Sequence, residues 1–326
     1  MAGAFLRWSA DWRLGYYGLL AAMAVAAAAS GHSKGDARLV FASLAAAAVC
    51  FVACQTMFWL VRERPARPIA ELAARASNVS AETFDRLALF TASILFFIWL
   101  APIKSLIPRP AGFFADPFLA DVDRLIFGRD AWEIAHLIPG IKFIDAVYSA
   151  WPLTIVFCAL VIAVVADRAT VRRFFLSWAL CFAFLGVGLA FVLASAGPIF
   201  GPELGFGFGK LHSALSDARI AMLIHEELWQ IHSENLVQVG GGISAAPSMH
   251  CALTFLCAIA VRRTRLFVPA AAYAGFIWFG SVYLGWHYAV DGLISLVGVL
   301  VIWRASRSMV RQEQSILNES QFQPSA

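Results

Sequence analysis

SVYLGWHYAVDGLISLVGVLVIW, residues 281–303, holds an apolar run next to two ionisable side chains, His287 and Asp291. The run over 286–304 is about as long as the roughly 20 mainly apolar residues that cross a hydrocarbon layer. Ionisable groups in such a setting are expensive, and they mark functional sites by default. The stretch therefore predicts a membrane helix with chemistry at its beginning.

Outward from this segment, the 326-residue chain is 60% hydrophobic and only 14% charged, with a mean hydropathy of +0.73. Soluble domains run at about 45–50% apolar and about 25% charged. The pattern predicts an all-α, polytopic membrane helix bundle of about eight transmembrane helices, at 14–31, 39–61, 87–107, 148–166, 174–198, 243–261, 267–285 and 286–304. The division expected is two accessory N-terminal helices with a cytoplasmic loop over 1–86, a catalytic membrane core of six helices over 87–304, and a polar cytoplasmic tail over 305–326. Arg7 and Arg13 before LGYYGLLAAMAVAAAAS also fit a cleavable leader. A second apolar run follows almost at once, which favours retention of the first as a span.

With eight spans both termini lie on one side, and the basic residues then sort. Arg7, Arg13, Arg62, Arg64, Arg67, Arg75, Arg86, Arg168, Arg172, Arg173, Arg262, Arg263, Arg265, Arg304, Arg307 and Arg311 share that side, sixteen of the 25 Lys and Arg residues. Short flanking loops rich in Arg face the cytoplasm. The expected location is a cell membrane, multi-pass, with both termini cytoplasmic and the site facing the periplasmic or luminal side. The formal charge of +4 is then a topology signal. No soluble basic domain accompanies it, which argues against nucleic acid as a partner. The six cysteines all lie in apolar runs, without zinc-finger spacing, and read as small core residues.

Residues four apart share a helix face, so Asp291 reaches back to His287. A carboxylate on one imidazole nitrogen fixes the tautomer and leaves the other free to attack or to take a proton. A second polar cluster lies in GGGISAAPSMHCALTF: Ser248 is a candidate N-cap, and His250 falls in the first turn, beside backbone N–H groups suited to an anion. Two histidines and an aspartate at one membrane face suit phosphoryl transfer, with a histidine nucleophile and a histidine acid. Lys104 and Arg109, in APIKSLIPRPAGFF, are candidates to hold the phosphate oxygens. His250, His287 and Asp291 are expected to converge on one cavity.

These residues resemble a known family. AAPSMH is similar to the second signature of the type 2 phosphatidic acid phosphatase superfamily, and SVYLGWHYAVD to its third. The resemblance is closest to the inositol phosphorylceramide synthase branch, through Ser281, Tyr283, Leu284, His287, Tyr288 and Asp291. DVDRLIFGRDAW, Asp121 to Trp132, also resembles a loop of that branch. The likeness implies a six-helix core without metal or cofactor, His287 as the phosphorylated nucleophile, Asp291 orienting it and His250 protonating the leaving group. Phosphate contacts are implied for Ser248, Ser281 and Tyr283. The chain departs from the broad family in Met249, where glycine is common, in Gly280–Ser281, where an Arg follows the Ser, and in the four residues between Lys104 and Arg109.

The expected activity is a membrane lipid phosphotransferase, moving a phosphorylated headgroup such as phosphoinositol between lipids through a phosphohistidine. Its partners are then a donor and an acceptor lipid, and the sequence names no protein partner. The alternatives are a lipid phosphate or diphosphate phosphatase, a proton-coupled transporter and a structural scaffold. A transporter calls for ionisable residues on several spans, which most of these runs lack. IHEELWQIH, Ile224 to His232, lacks the four-residue histidine spacing of a metalloprotease; a spacing of seven is still helical and leaves a weak metal site as the lesser reading, while an amphipathic interfacial helix over 211–237 fits better. GPELGFGFGK lacks a nucleotide-binding context and reads as bends. Asn78 and Asn318 match a glycosylation pattern on the cytoplasmic side.

Overall fold

The computed structural model describes residues 12–29, 36–76, 79–237 and 241–321, and every regular element among them is helical. The principal helices are α1 (Trp12–Ala29), α2 (Asp36–Glu63), α3 (Ala81–Lys104), α4 (Asp116–Phe127), α5 (Ile141–Ser149), α6 (Trp151–Val165), α7 (Arg168–Leu180), α8 (Arg219–Ser233), α9 (Met249–Ala260), α10 (Phe267–Tyr283) and α11 (Ala289–Gln321). Arg7 and Asn78 lie outside the described residues.

The count of eight spans does not hold. Among the described residues four helices are long and apolar enough to cross a membrane: Val40–Glu63, Ala81–Lys104, Arg168–Val192 and Ala289–Val310. A fifth is added if α5 and α6, bent by 46° at their junction, form one span. The correction has a physical source. An apolar run is not a helix of equal length, and at 1.5 Å per residue α9 and α10 extend only about 18 and 26 Å against a core of about 30 Å. Residues 243–248, apolar in composition, form a buried irregular segment before α9. Helix α1 is diluted by Trp12, Arg13 and two tyrosines. The six-helix core falls with the count, and so does the inference from an even number of spans that the termini share a side.

Helix α7 continues to Val192 through a π-helical stretch, Cys181–Leu189. Helices α1 and α2 pack on α3, α1 also on α7 and α2 on α6. Trp12 and Tyr16 of α1 are fully buried, and the Tyr16 hydroxyl donates to the Leu89 carbonyl at 2.9 Å. Helix α11 does not stop at the polar tail but runs on to Gln321.

Three irregular segments meet at one end of the bundle. Ser195 accepts from the Ala245 amide through its carbonyl at 2.8 Å and from the Ala246 amide through its hydroxyl at 2.9 Å, and the Ile199 amide donates to the Gly285 carbonyl at 2.8 Å. Gly197, at φ +99°, lies so close to the third segment that a Cβ there would sit 2.4 Å from the Trp286 carbonyl oxygen. Loop 193–200, loop 241–248 and turn 284–288 thus form one hydrogen-bonded floor, each satisfying backbone groups of another.

Candidate active site

Helix α9 begins at this floor. Ser248, fully buried, caps it by accepting from the Cys251 amide at 3.3 Å, which places His250 in the first turn. Helix α11 begins there too, just after the turn that carries His287. The two helix starts are tied by the Ser295 hydroxyl, 2.9 Å from the Ser248 carbonyl and 2.7 Å from that of Asp291.

The structure brings His250, His287 and Asp291 together. His287 Nε2 is 3.3 Å from His250 Nδ1, and His287 Nδ1 is 3.5 Å from Asp291 Oδ2. The second contact is an ion-pair distance without hydrogen-bond alignment, since His287 Nδ1 has no hydrogen-bond partner. The same carboxylate oxygen accepts from the Tyr288 amide at 3.1 Å, which anchors Asp291 at the helix start. The His250 ring packs at 4.3 Å from the Trp151 ring and 5.3 Å from that of Tyr148. Burial, with the Lys104 ammonium adding to it, holds the His287 imidazole well below its ordinary pKa. A neutral imidazole keeps the lone pair that nucleophilic attack requires.

A cavity of about 440 Å³ opens on both rings. Its walls are apolar, with Phe97, Trp151, Phe182, Phe200, Leu228 and Trp286, and Lys104 is the cationic side chain along them. A volume of that order, mainly apolar with few polar groups, is what a ligand site requires. Arg109 goes elsewhere. It is exposed and lines an adjoining cavity of about 270 Å³, which shares Gly242 and Ile243 with the first.

The other expected phosphate contacts lie in the framework. The Ser281 hydroxyl donates to the Trp278 carbonyl at 2.7 Å. Tyr283 stacks on His136 at 4.2 Å, and its carbonyl lies 2.8 Å from His136 Nε2. Ser248 is occupied as the N-cap.

Two buried carboxylates of α4 complete the site. Asp116 accepts from the amides of Ala196 at 2.8 Å and Gly197 at 2.9 Å and from the Tyr288 hydroxyl at 2.9 Å. Asp123 accepts from the amides of Ala289 at 2.7 Å and Val290 at 2.9 Å, which satisfies N–H groups at the start of α11. Burial raises both carboxyls to about 6, against the lowering effect of these same bonds. Both residues flank the His287 turn, and both act through the backbone around it. The signal in the sequence was two aspartates seven apart on the helix face of Leu119 and Ala120, which faces the interior.

Comparison with curated proteins and with solved structures yields no match. Residues 134–305 do match a family, and they include His250, His287 and Asp291 and cover more than half of the chain. By that match, this chain belongs to the PAP2 superfamily.

Proposed function

We propose that the chain transfers a phosphorylated lipid headgroup through a phosphohistidine on His287, with phosphoinositol as the headgroup and a second lipid hydroxyl as the acceptor. The observation that carries this reading is the pair of imidazole nitrogens 3.3 Å apart at an apolar-walled cavity. Membership of the PAP2 superfamily supports an enzyme acting on lipids.

His287 Nε2 attacks phosphorus, the bond from phosphorus to the lipid oxygen breaks, and His250 gives that oxygen its proton. In the second half the acceptor hydroxyl passes its proton to His250, its oxygen bonds phosphorus, and the P–N bond breaks. Asp291 orients His287 and favours the cationic ring that forms during attack. The two rings lie in contact, so an entering phosphate must part them. Its negative charge then favours protonation of His250, which the N-terminus of α9 otherwise opposes. Lys104 holds phosphate oxygens. Helices α1 and α2 are accessory, since the cavity walls begin with Phe97 of α3.

The test is incubation of purified protein with headgroup-labelled phosphatidylinositol, phosphatidate and lipid diphosphates, with and without ceramide. Transfer of labelled inositol phosphate to ceramide is the expected result. Release of free phosphate from phosphatidate or a lipid diphosphate, with no transfer, overturns it in favour of a phosphatase. His287→Ala is expected to abolish turnover while the protein still inserts. Wild-type activity in that variant rejects His287 as the nucleophile.

A further inference from the structure

The histidines of IHEELWQIH separate on folding. His232 packs against Phe113 at 5.2 Å and Trp229 at 5.5 Å. His225, one of the buried residues of α8 with only 3% exposure, turns inward. Its ring lies 4.8 Å from that of Phe200 and 5.3 Å from that of His212, and its Nε2 is 3.1 Å from a carboxylate oxygen of Glu203.

Glu203, His212 and His225 each present one ligand atom, and the three atoms all lie within 4.8 Å of one another. Their hydrogen bonding is incomplete at the same spot. Both ring nitrogens of His225, Nδ1 of His212 and Oε2 of Glu203 are buried without a hydrogen-bond partner, and the close Glu203–His225 contact is not aligned as one. Buried polar atoms are nearly always satisfied, so four unsatisfied atoms in one cluster call for a ligand. The chain reaches this arrangement through GPELGFGFGK, where Gly205 and Gly207 take φ of +76° and +105° and turn Glu203 back toward His212.

We infer that Glu203, His212 and His225 bind a divalent transition metal of the zinc class, which fastens α8 to the 200–214 segment. Two imidazoles and one carboxylate form a zinc ligand set with a fourth position left for water. Calcium and magnesium prefer all-oxygen sets, and thiolate is absent from this one. The resemblance implied no metal for this chain. The site is apart from His250 and His287 but linked to them. Phe200 stands between His225 and Trp286, at 4.8 and 6.0 Å, and Ile224, Leu228, Phe200 and Trp286 all line the His250–His287 cavity. Fastening α8 therefore holds one wall of that cavity in place. Lipid transfer and metal binding are separate claims with separate readouts.

The experiment uses the full chain in detergent, freed of any histidine tag, stripped with a chelator and titrated with Zn²⁺. Elemental analysis after desalting is expected to find one zinc per chain, and zinc is expected to raise the thermal midpoint. Glu203→Gln and His212→Gln, conservative in size at half-buried positions, are expected to weaken binding by at least about tenfold and to lose the thermal shift, while His232→Gln keeps both. Cobalt is expected to give visible d–d absorption without a thiolate charge-transfer band. The proposal is overturned by any one of four results: no retained zinc, unchanged binding in both ligand variants, equal loss in His232→Gln, or a thiolate band.

Discussion

At the scale of single residues, the site depends on where two small or charged groups stand. Asp291 is fully buried, 3.5 Å from His287 and bonded to the Tyr288 amide. Asp291→Asn keeps the amide contact but removes the negative charge that favours the imidazolium. It is expected to lower kcat by about a hundredfold or more, with the thermal midpoint nearly unchanged. A kcat equal to that of the wild type removes Asp291 from the mechanism. Gly197 tests the floor beneath the site. Alanine there combines a positive φ with a collision against the Trp286 carbonyl, a loss of about 2–4 kcal/mol, read as a fall in denaturant midpoint for the purified variant.

At the scale of elements, the start of α11 depends on α4. Helix starts leave N–H groups without intrahelical partners, and Asp123 takes two of them. Its carboxyl is raised from 3.8 to about 6, chiefly by burial. The folded chain therefore binds the proton more tightly than the unfolded chain. The associated stability is fully present below the unfolded value and is withdrawn as pH rises through about 6. Asp123→Asn is expected to flatten the thermal midpoint between about pH 4 and 6.5 relative to wild type, and to lower it by an amount worth about 1–2 kcal/mol. Parallel pH profiles for the two proteins would contradict this. Sequence reading found α11 and the His–Asp pair because both are local, although the helix expected from residue 286 begins at Ala289, so His287 reaches Asp291 from the preceding turn and not from the same helix face. It did not single out Asp116, whose partners lie 80 and 172 residues away, and no periodicity reports a contact of that range.

At the scale of the molecule, basic groups and the candidate catalytic groups separate along the same helices. Arg173, Arg262, Arg263 and Arg307 line one cavity of about 500 Å³. Arg262 follows the end of α9, while His250 stands at its start. Helix α11 runs likewise from Asp291 to Arg307. The proposed orientation puts the Arg cavity in the cytoplasm and the histidines at the opposite surface, following the bias of short basic loops. Phe114 is exposed two residues before Asp116, at the end of the bundle that carries the histidines. In a cysteine-free background, Arg263→Cys is expected to be labelled by an impermeant thiol reagent only after the membrane is opened, and Phe114→Cys before it. The reverse pattern inverts the orientation.

The amino-acid sequence alone determined that this chain is apolar and helical, that His250 lies in the first turn of one helix, and that His287 and Asp291 stand four residues apart where another begins. Composition and i, i+4 spacing are local quantities, and helices preserve them. The tertiary structure alone decided that four or five helices among the described residues are long enough to span, that Arg109 opens on a different cavity from Lys104, that Asp116 and Asp123 brace the turn carrying His287, and that His225 meets Glu203 and His212. Each of these depends on how separate segments are buried against one another, and an apolar run reads the same whether lipid or protein covers it.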